Sequence, residues 1–198
     1  MRRALVPRAG LGPATVIAAG ADLADEVGFD ALTMGLLAER LGVRTPSLYR
    51  HVESLDALRR GIALQAKREL GDEAARAAVG RAGPDAVHAF ADAYRRWARD
   101  HPGRYTASLR APAAGDEEDR RVSDESVRAL FAVVAGFGLH DDDAVDAARA
   151  LRSAMHGFAS LESAGAFGLP RDVDRSYHAL IDTLVSGLRA GSPRSAGT

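Results

Sequence analysis

Residues 32–58 constrain the fold of this chain more than any other stretch of the sequence. Thr33 belongs to a residue type that caps the start of a helix, and Gly42 tolerates the positive φ of an abrupt helix end. Thr45 and Pro46 then favour a new helix start, because proline is accommodated in the first helical turn. Two short helices separated by a tight turn predict a helix-turn-helix.

The spacing of small and apolar residues supports this prediction. Ala38 lies where the two helices would cross, and Gly42 follows at the turn. A larger side chain at position 38 would push the two helices apart. The residues that we expect to face the core of the motif are Leu36, Leu37, Ala38, Leu41, Val43 and Leu48.

Apolar residues recur at steps of three and four along most of the remaining chain, which is typical of amphipathic helices. No alternating pattern of useful length predicts a strand, and we therefore expect an all-α fold. Thr45 is expected to cap the third helix, and Gly28 to end the first in a left-handed conformation. The helices should cover about residues 13–27, 34–41, 46–51, 54–78 and 84–100, a short segment ending near 109, and residues 116–137, 144–164 and 173–190.

Composition excludes several kinds of function. The chain has no cysteine and a net charge of −1, so it has neither a disulfide framework nor a global basic field. No apolar run approaches the ~20 residues of a membrane span. The N-terminus also lacks a secretory apolar core, so we expect a soluble, cytoplasmic protein.

Acidic clusters at residues 116–119 and 140–143 are the only features that favour an enzyme or a metal site. Both stand at predicted helix starts, where the helix dipole favours acidic side chains. No Ser-His-acid arrangement and no Gly-rich phosphate loop is visible in the sequence. We therefore predict no catalytic residue, no metal site and no cofactor.

Three runs, at residues 32–34, 37–43 and 45–52, closely resemble the DNA-binding domain of the TetR family of bacterial repressors. The segment 155–162, followed by 165–167, is similar to the helical regulatory domain of a TetR subgroup named for a Trp-His-Gly motif. Met155 replaces the tryptophan of that motif. The resemblance covers nearly the whole chain and implies a homodimeric, ligand-responsive repressor that binds a double-stranded DNA operator.

The resemblance also implies a domain organisation, with a boundary where Gly71, Gly80 and Gly83 break the helical pattern. We expect a flexible arm at residues 1–12, a three-helix DNA-binding domain at 13–70, a helical ligand-binding and dimerisation domain at 71–190, and a disordered tail at 191–198. The arm is either a plain tail or a segment whose Arg2 and Arg3 touch the DNA backbone or minor groove.

Positions matched to the family imply specific roles in DNA binding. Base contacts are expected from Thr45, Ser47 and Arg50, since the second helix of the motif reads the major groove. The remaining candidates contact the backbone or sugar: Thr33, Arg44, Tyr49 and His51 at phosphates, and Pro46 at a thymine methyl group or a sugar. The alternatives are that Tyr49 is a core tyrosine with its hydroxyl at the surface, that Arg50 is a solvated side chain, and that His51 only caps or packs.

Two positions depart from the family pattern. Leu55 stands where many relatives carry a lysine that contacts a phosphate, and Gly35 stands where some carry an arginine that reads a base. We therefore expect fewer charged contacts than usual. A helical interaction module that has lost DNA binding is the alternative function that these two positions favour.

The C-terminal helices are expected to enclose a pocket for an apolar or aromatic effector. The resemblance implies that the last two helices form a four-helix bundle with a second copy, and an intramolecular core is the alternative. Plain core packing is the alternative for each pocket residue. The candidate pocket residues are Phe90, Tyr94, Trp97, Tyr105, Phe131, Met155, His156 and Phe158.

Overall fold

The computed structural model describes residues 11–191, and within that range the regular secondary structure is entirely helical. The prediction of an all-α fold is therefore confirmed. Residues 1–10 of the predicted arm, with Arg2 and Arg3, and residues 192–198 of the predicted tail lie outside the described range. The helices are α1 (Pro13–Val27), α2 (Met34–Leu41), α3 (Thr45–Leu48), α4 (Leu55–Ala78), α5 (Gly83–Asp100), α6 (Pro102–Ser108), α7 (Glu117–Ala135), α8 (Asp141–Ser163) and α9 (Val173–Gly191).

Most helix bounds agree with the predicted ones to within two residues, and the end of α3 and the start of α8 each differ by three. The prediction extended α3 to His51 with Thr45 as its cap, whereas the helix ends at Leu48 and Arg44 holds the cap position without a side-chain cap hydrogen bond. The carbonyl of Leu48 instead accepts the backbone N–H groups of His51, at 2.8 Å, and Val52, at 3.0 Å. These bonds close a turn that connects α3 to the next helix.

The chain forms two compact units whose limits differ from the predicted domains. The N-terminal unit contains the described residues up to Lys67 together with His101–Val122, and the C-terminal unit contains Arg68–Asp100 and the residues from Ser123 onward. Residues 101–122 fall within the predicted C-terminal domain, whereas they lie in the N-terminal unit. They join the N-terminal unit because α6 packs against α1, where Gly103 lies so close that an added Cβ would come within 2.0 Å of the Ala24 carbonyl oxygen.

The prediction that Gly71 breaks the helical pattern is wrong, because Gly71 lies inside α4. A Cβ at this position would lie 2.9 Å from the Cα of Ser126 on α7. The glycine therefore serves a close helix–helix contact within the C-terminal unit. Gly80 and Gly83 do follow the end of α4, and both adopt positive φ, at 73° and 54°.

An apolar cluster holds the helix-turn-helix together. Leu37 and Leu48 are completely buried, and Ala38 is 3% exposed. Leu36 is an exception to the prediction, since it is 39% exposed. The buried face of α2 consists of Met34, Leu37, Ala38 and Leu41, which recur at the three- and four-residue spacing of a helix, and Leu36 lies outside it. The other large members of the cluster include Val16, Phe29, Leu32, Leu41, Val52, Leu58 and Ile62.

Within residues 11–191, no helix combines the length and the apolar character that crossing a membrane requires.

Candidate nucleic-acid interface and effector region

The start of α2 is capped as predicted. The Oγ1 atom of Thr33 accepts the backbone N–H of Leu36 at 3.2 Å, and the Thr33 carbonyl accepts the N–H of Leu37 at 3.1 Å. Thr33 itself is exposed. The first turn of α2 is therefore ordered by its cap and open to solvent, where its remaining N–H groups favour an anionic partner.

Gly42 makes the turn between α2 and α3. It has φ 68° and ψ 29°, a left-handed conformation that glycine adopts without steric cost, and its N–H contacts the Ala38 and Glu39 carbonyl oxygens. The N–H of Val43 also donates to the Ala38 carbonyl at 3.0 Å. These bonds satisfy carbonyls at the end of α2 and direct the chain into α3.

Leu48 orients the second helix of the motif. It is completely buried, and its burial directs the opposite side of α3 toward solvent. Tyr49 is 50% exposed. Of the eight candidate DNA-binding residues, Thr33, Arg44, Pro46, Tyr49 and Arg50 are exposed, and Thr45, Ser47 and His51 are half-buried. All eight thus lie in the helix-turn-helix region, and none of them is fully buried.

The two positions that depart from the family pattern differ in their surroundings. Leu55 is partly buried and packs against the apolar cluster of the N-terminal unit. Gly35 is exposed, and a Cβ added there would make only ordinary contact with Thr33 Oγ1, at 3.8 Å. Position 55 therefore contributes to packing here, whereas position 35 has room for a side chain.

Arg59 is a supporting residue that the sequence analysis missed. Its guanidinium donates to the backbone carbonyls of Asp30 at 3.0 Å and Leu32 at 3.4 Å, and it lies 5.8 Å from the centre of the Phe29 ring. These contacts hold the link between α1 and α2 and hence the position of Thr33. Nothing in the sequence distinguishes Arg59 from its neighbour Arg60.

A basic side chain in α4 binds the acidic start of α7 within the N-terminal unit. Arg60 contacts Asp116 at 2.5 Å and 2.7 Å and Glu118 at 3.0 Å. The hydrogen bonds from Arg60 hold the pKa of Asp116 well below its usual range. The 116–119 cluster is thus not simply solvated, because three of its four acids pair with an arginine and Asp119 pairs with Lys67.

The candidate effector residues divide between the two units. Tyr105 belongs to the N-terminal unit and the other seven to the C-terminal unit. Phe131 is 36% exposed, unlike an enclosed pocket wall, and His156 is half-buried. The remaining five in the C-terminal unit are buried: Phe90, Tyr94, Trp97, Met155 and Phe158. None of the eight lines either of two open grooves in the described residues. One groove has a volume of about 870 Å³ and is bounded by α1, α2 and α6. The other has a volume of about 370 Å³ and is lined by residues of α4, α5 and α7.

A buried arginine joins three helices of the C-terminal unit. Arg95 of α5 donates to both carboxylate oxygens of Glu162, at 2.6 Å and 2.7 Å, and to Asp174 at 2.7 Å. Its guanidinium also lies 4.8 Å from the Tyr177 ring centre and 5.4 Å from that of Phe158. The hydrogen bonds to Glu162 raise the pKa of Arg95, so this arginine stays charged at all ordinary pH values.

Tyr177 completes this cluster. Its side chain is completely buried, and its hydroxyl donates to the Ala91 carbonyl at 2.7 Å. Burial raises the pKa of the phenol, because the ionised form would be desolvated. Sequence reasoning selected Phe158 but missed Arg95 and Tyr177, since no local pattern identifies their distant partners.

Comparison with known proteins is consistent with the motif and the helical fold, which define a helix-turn-helix transcriptional regulator. Residues 16–61 match the family model for bacterial regulatory proteins of the tetR family, and residues 87–184 match the tetracyclin repressor-like C-terminal domain. The chain is 39% identical over 171 residues to the uncharacterized HTH-type transcriptional regulator Rv0681 of Mycobacterium tuberculosis, a match that covers 86% of this chain and 76% of the relative.

A second relative and a solved structure extend the match. The chain is 33% identical over 183 residues to the uncharacterized HTH-type transcriptional regulator YobS of Bacillus subtilis, covering 92% of this chain and 95% of YobS. A TetR variant from Acinetobacter baumannii, solved in complex with minocycline, shares the fold at a TM-score of 0.69 and 24% identity, covering 93% of this chain and 99% of the other. The chain belongs to the TetR family of transcriptional regulators.

Proposed function

We propose that this protein is a homodimeric repressor that binds a double-stranded DNA operator and releases it when a small apolar or aromatic molecule binds. The observation that carries the proposal is the geometry of α3. Leu48 is buried on one side, and the candidate contact residues in and beside α3 are exposed or half-buried. A helix anchored in this way can enter a major groove without disturbing its core.

The proposed contacts follow from exposure and chemistry. Arg50, Thr45 and Ser47 provide donors or acceptors for base edges, with arginine best suited to guanine. Arg44, Tyr49, His51 and the capped start of α2 at Thr33 contact phosphates, and Pro46 packs against a thymine methyl group or a sugar. With Leu55 packed in the core, the charged contacts of this face come from Arg44 and Arg50.

The dimer is proposed to form through α8 and α9. Leu161 near the end of α8 is 50% exposed, and Phe167 and Leu169 in the segment after it are 38% and 84% exposed. Such apolar exposure favours burial against a second copy. A two-fold dimer would place two reading helices on half-sites about one helical turn, ~34–36 Å, or a multiple of it, apart.

The effector is proposed to bind among the buried aromatic and apolar residues of the C-terminal unit, with Phe90, Tyr94, Trp97, Met155, His156 and Phe158 as its candidate contacts. Binding a conformation that is incompetent for DNA would shift the population and release the operator. The solved TetR variant in complex with minocycline supports a small-molecule effector.

The His156-Gly157 pair is the basis for proposing membership of the Trp-His-Gly subgroup. A regulator of this kind would act in the cytoplasm, where bacterial DNA is found.

A DNA mobility-shift titration tests the proposal, using the promoter region next to the gene for this protein. The full-length chain should bind with an affinity that falls as salt rises, and Arg44→Ala should reduce the salt slope by about 1. Arg50→Ala should weaken binding by about 1–3 kcal/mol and relax base preference. Arg76→Ala, which changes an exposed arginine outside the motif, is the matched control and should bind as the unaltered protein does.

Two further measurements test the dimer and the effector. Light scattering at micromolar concentration should give the mass of two chains, and a monomer would contradict the dimer. A ligand found by thermal shift should release the DNA, and Trp97→Leu should weaken that response while leaving ligand-free DNA binding intact. Absence of any DNA shift, with the fold preserved, would favour a helical interaction module instead.

A further inference from the structure

Two histidine–aspartate pairs lie on facing surfaces of α5 and α9 in the C-terminal unit. His88 and Asp92 are four residues apart on α5, and His178 and Asp182 have the same spacing on α9. Residues at this spacing project from the same side of a helix. Each helix therefore presents one imidazole and one carboxylate on a single face.

The two faces meet each other. Nε2 of His88 lies 3.0 Å from Oδ1 of Asp182, and Nε2 of His178 lies 3.1 Å from Oδ1 of Asp92. The histidine of each helix, which comes first in its pair, thus contacts the aspartate of the other helix, which comes second. This arrangement requires the two helices to run antiparallel at this point. The centres of the two imidazole rings are 6.3 Å apart.

The backbone beneath these four side chains is held in place. Tyr177, next to His178, is completely buried, and its hydroxyl donates to the carbonyl of Ala91, next to Asp92. The four polar side chains above this contact are 30–69% exposed. A fixed frame with exposed side chains allows the side chains to change rotamer while the helices stay in register.

We propose that His88, Asp92, His178 and Asp182 form a binding site for one divalent transition-metal ion of the Zn²⁺ type, which joins α5 to α9. Imidazole nitrogen and carboxylate oxygen are ligands that Zn²⁺ accepts in tetrahedral geometry. Two imidazoles that share one zinc at about 2.0–2.1 Å have ring centres roughly 5 Å apart. The observed separation exceeds this by about 1 Å, within the reach of a rotamer change.

Side-chain rearrangement is a necessary part of this inference. Among the described residues, no three potential metal ligands already converge on one point. Both Nε2 atoms now contact carboxylates, so the metal would compete with two hydrogen bonds for the same atoms. These surface contacts are weak, and four new bonds to one ion would replace them. The inference does not depend on the proposed DNA binding.

Metal titration of the full-length, untagged protein tests the site. After treatment with EDTA and its removal, Zn²⁺ should raise the melting temperature by about 5 °C, and equilibrium dialysis should show one ion bound per chain. Co²⁺ should give the visible absorption bands of a tetrahedral complex. Mg²⁺, which prefers six oxygen ligands, should have no effect.

The double variant His88→Asn, His178→Asn keeps side chains that can hydrogen-bond to the aspartates but removes both nitrogen ligands. It should lose the Zn²⁺-induced shift and bind at least tenfold more weakly. Asp182→Asn, at an exposed position, should also weaken binding and serves if the double variant fails to fold. His140→Asn, an exposed histidine elsewhere in the C-terminal unit, should behave as the unaltered protein. A Zn²⁺ response that is absent, or equal in all variants, would overturn the proposal.

Discussion

The helix-turn-helix and the C-terminal unit are held together by different forces. The apolar cluster around α2 and α3 is built from aliphatic and aromatic side chains such as Leu37, Leu48 and Phe29. Among the described residues, the buried polar and charged ones are Lys67, Arg95, Ser108 and Asp119, all outside α1–α3. In the C-terminal unit, by contrast, Arg95 lies in the core and joins three helices through carboxylates and aromatic rings.

This difference has a physical consequence for each region. Apolar packing has no directional requirement, so the stability of an apolar region depends little on surface charge. It depends strongly on buried volume. A buried ion cluster requires specific partners, and the loss of one leaves an uncompensated charge. The helix-turn-helix should therefore be sensitive to steric substitutions, and the cluster around Arg95 in the C-terminal unit to substitutions that remove charge without changing size.

The largest effect is expected where α6 meets α1. Gly103→Ala should lower the free energy of unfolding by about 4 kcal/mol, because the new Cβ would clash with the Ala24 carbonyl oxygen and force the helices apart. Chemical denaturation followed by circular dichroism measures this. Gly35→Ala in the same unit has room for the methyl group and should stabilise α2 by about 0.5–1 kcal/mol. Equal effects of the two substitutions would show that close contact does not govern this unit.

The next effect tests the buried charge in the C-terminal unit. Arg95→Met retains most of the side-chain volume but removes the partner of Glu162 and Asp174, and it should cost about 3 kcal/mol of stability. The adjacent Arg96 is 52% exposed and lies 3.5 Å from Glu73, so Arg96→Met should change stability by less than about 1 kcal/mol. Thermal denaturation of both variants at the same chain concentration separates these outcomes. A neutral Arg95→Met would mean that its aromatic neighbours, not its charge, hold the three helices.

A smaller, pH-dependent effect is expected at Tyr177. Tyr177→Phe removes the hydrogen bond to the Ala91 carbonyl and should cost about 1 kcal/mol at neutral pH. Because burial raises the pKa of Tyr177 above its ordinary value of about 10, the contribution of the neutral phenol is complete below that pH. It decreases as the pH rises through the raised value, so the difference between the two proteins should shrink in alkali.

Unfolding measurements across the alkaline range test this expectation. Tyr49→Phe changes a half-exposed tyrosine of the N-terminal unit and should leave stability nearly unchanged throughout. A Tyr177→Phe variant whose deficit stays constant to high pH would show that burial does not disfavour ionisation of this phenol.

The smallest effect distinguishes neighbouring residues on α2. Leu36→Gln should change stability by less than about 0.5 kcal/mol, because Leu36 is 39% exposed. Leu37→Gln would bury an amide in the apolar cluster and should destabilise the N-terminal unit strongly, since Leu37 is completely buried. Similar melting temperatures for the two variants would contradict the orientation of α2.

The helix-turn-helix could be predicted from local sequence because the features that define it are local. Thr33 caps the helix that begins at the next residue, and Gly42 ends it through its own backbone conformation. The inward direction of Leu36 was predicted wrongly, since a helix of eight residues leaves the limits of its buried face undefined. Whether the candidate residues contact DNA stays a prediction, because exposure permits such contacts without demonstrating them.

Features that depend on distant partners could not be predicted. The sequence predicts a helix break at Gly71, whereas in the structure this glycine allows a close contact with Ser126. No local pattern distinguishes these two roles of glycine. No sequence pattern singled out Arg95, because its partners Glu162 and Asp174 lie 67 and 79 residues further along the chain. Phe131 was placed in a pocket wall on apolar character alone, and its exposure depends on packing that the pattern does not report.

The sequence by itself determined where most helices begin and end, that the fold is all-α, and that residues 32–58 form a helix-turn-helix. These properties follow from capping, periodicity and backbone conformation, which act over a few residues. Only the tertiary structure decided that α6 belongs with α1, that Arg95 is buried, and that the histidines of α5 and α9 face each other's aspartates. Those properties arise from the approach of segments far apart in the chain, where one missing Cβ or one paired charge determines which surfaces can meet.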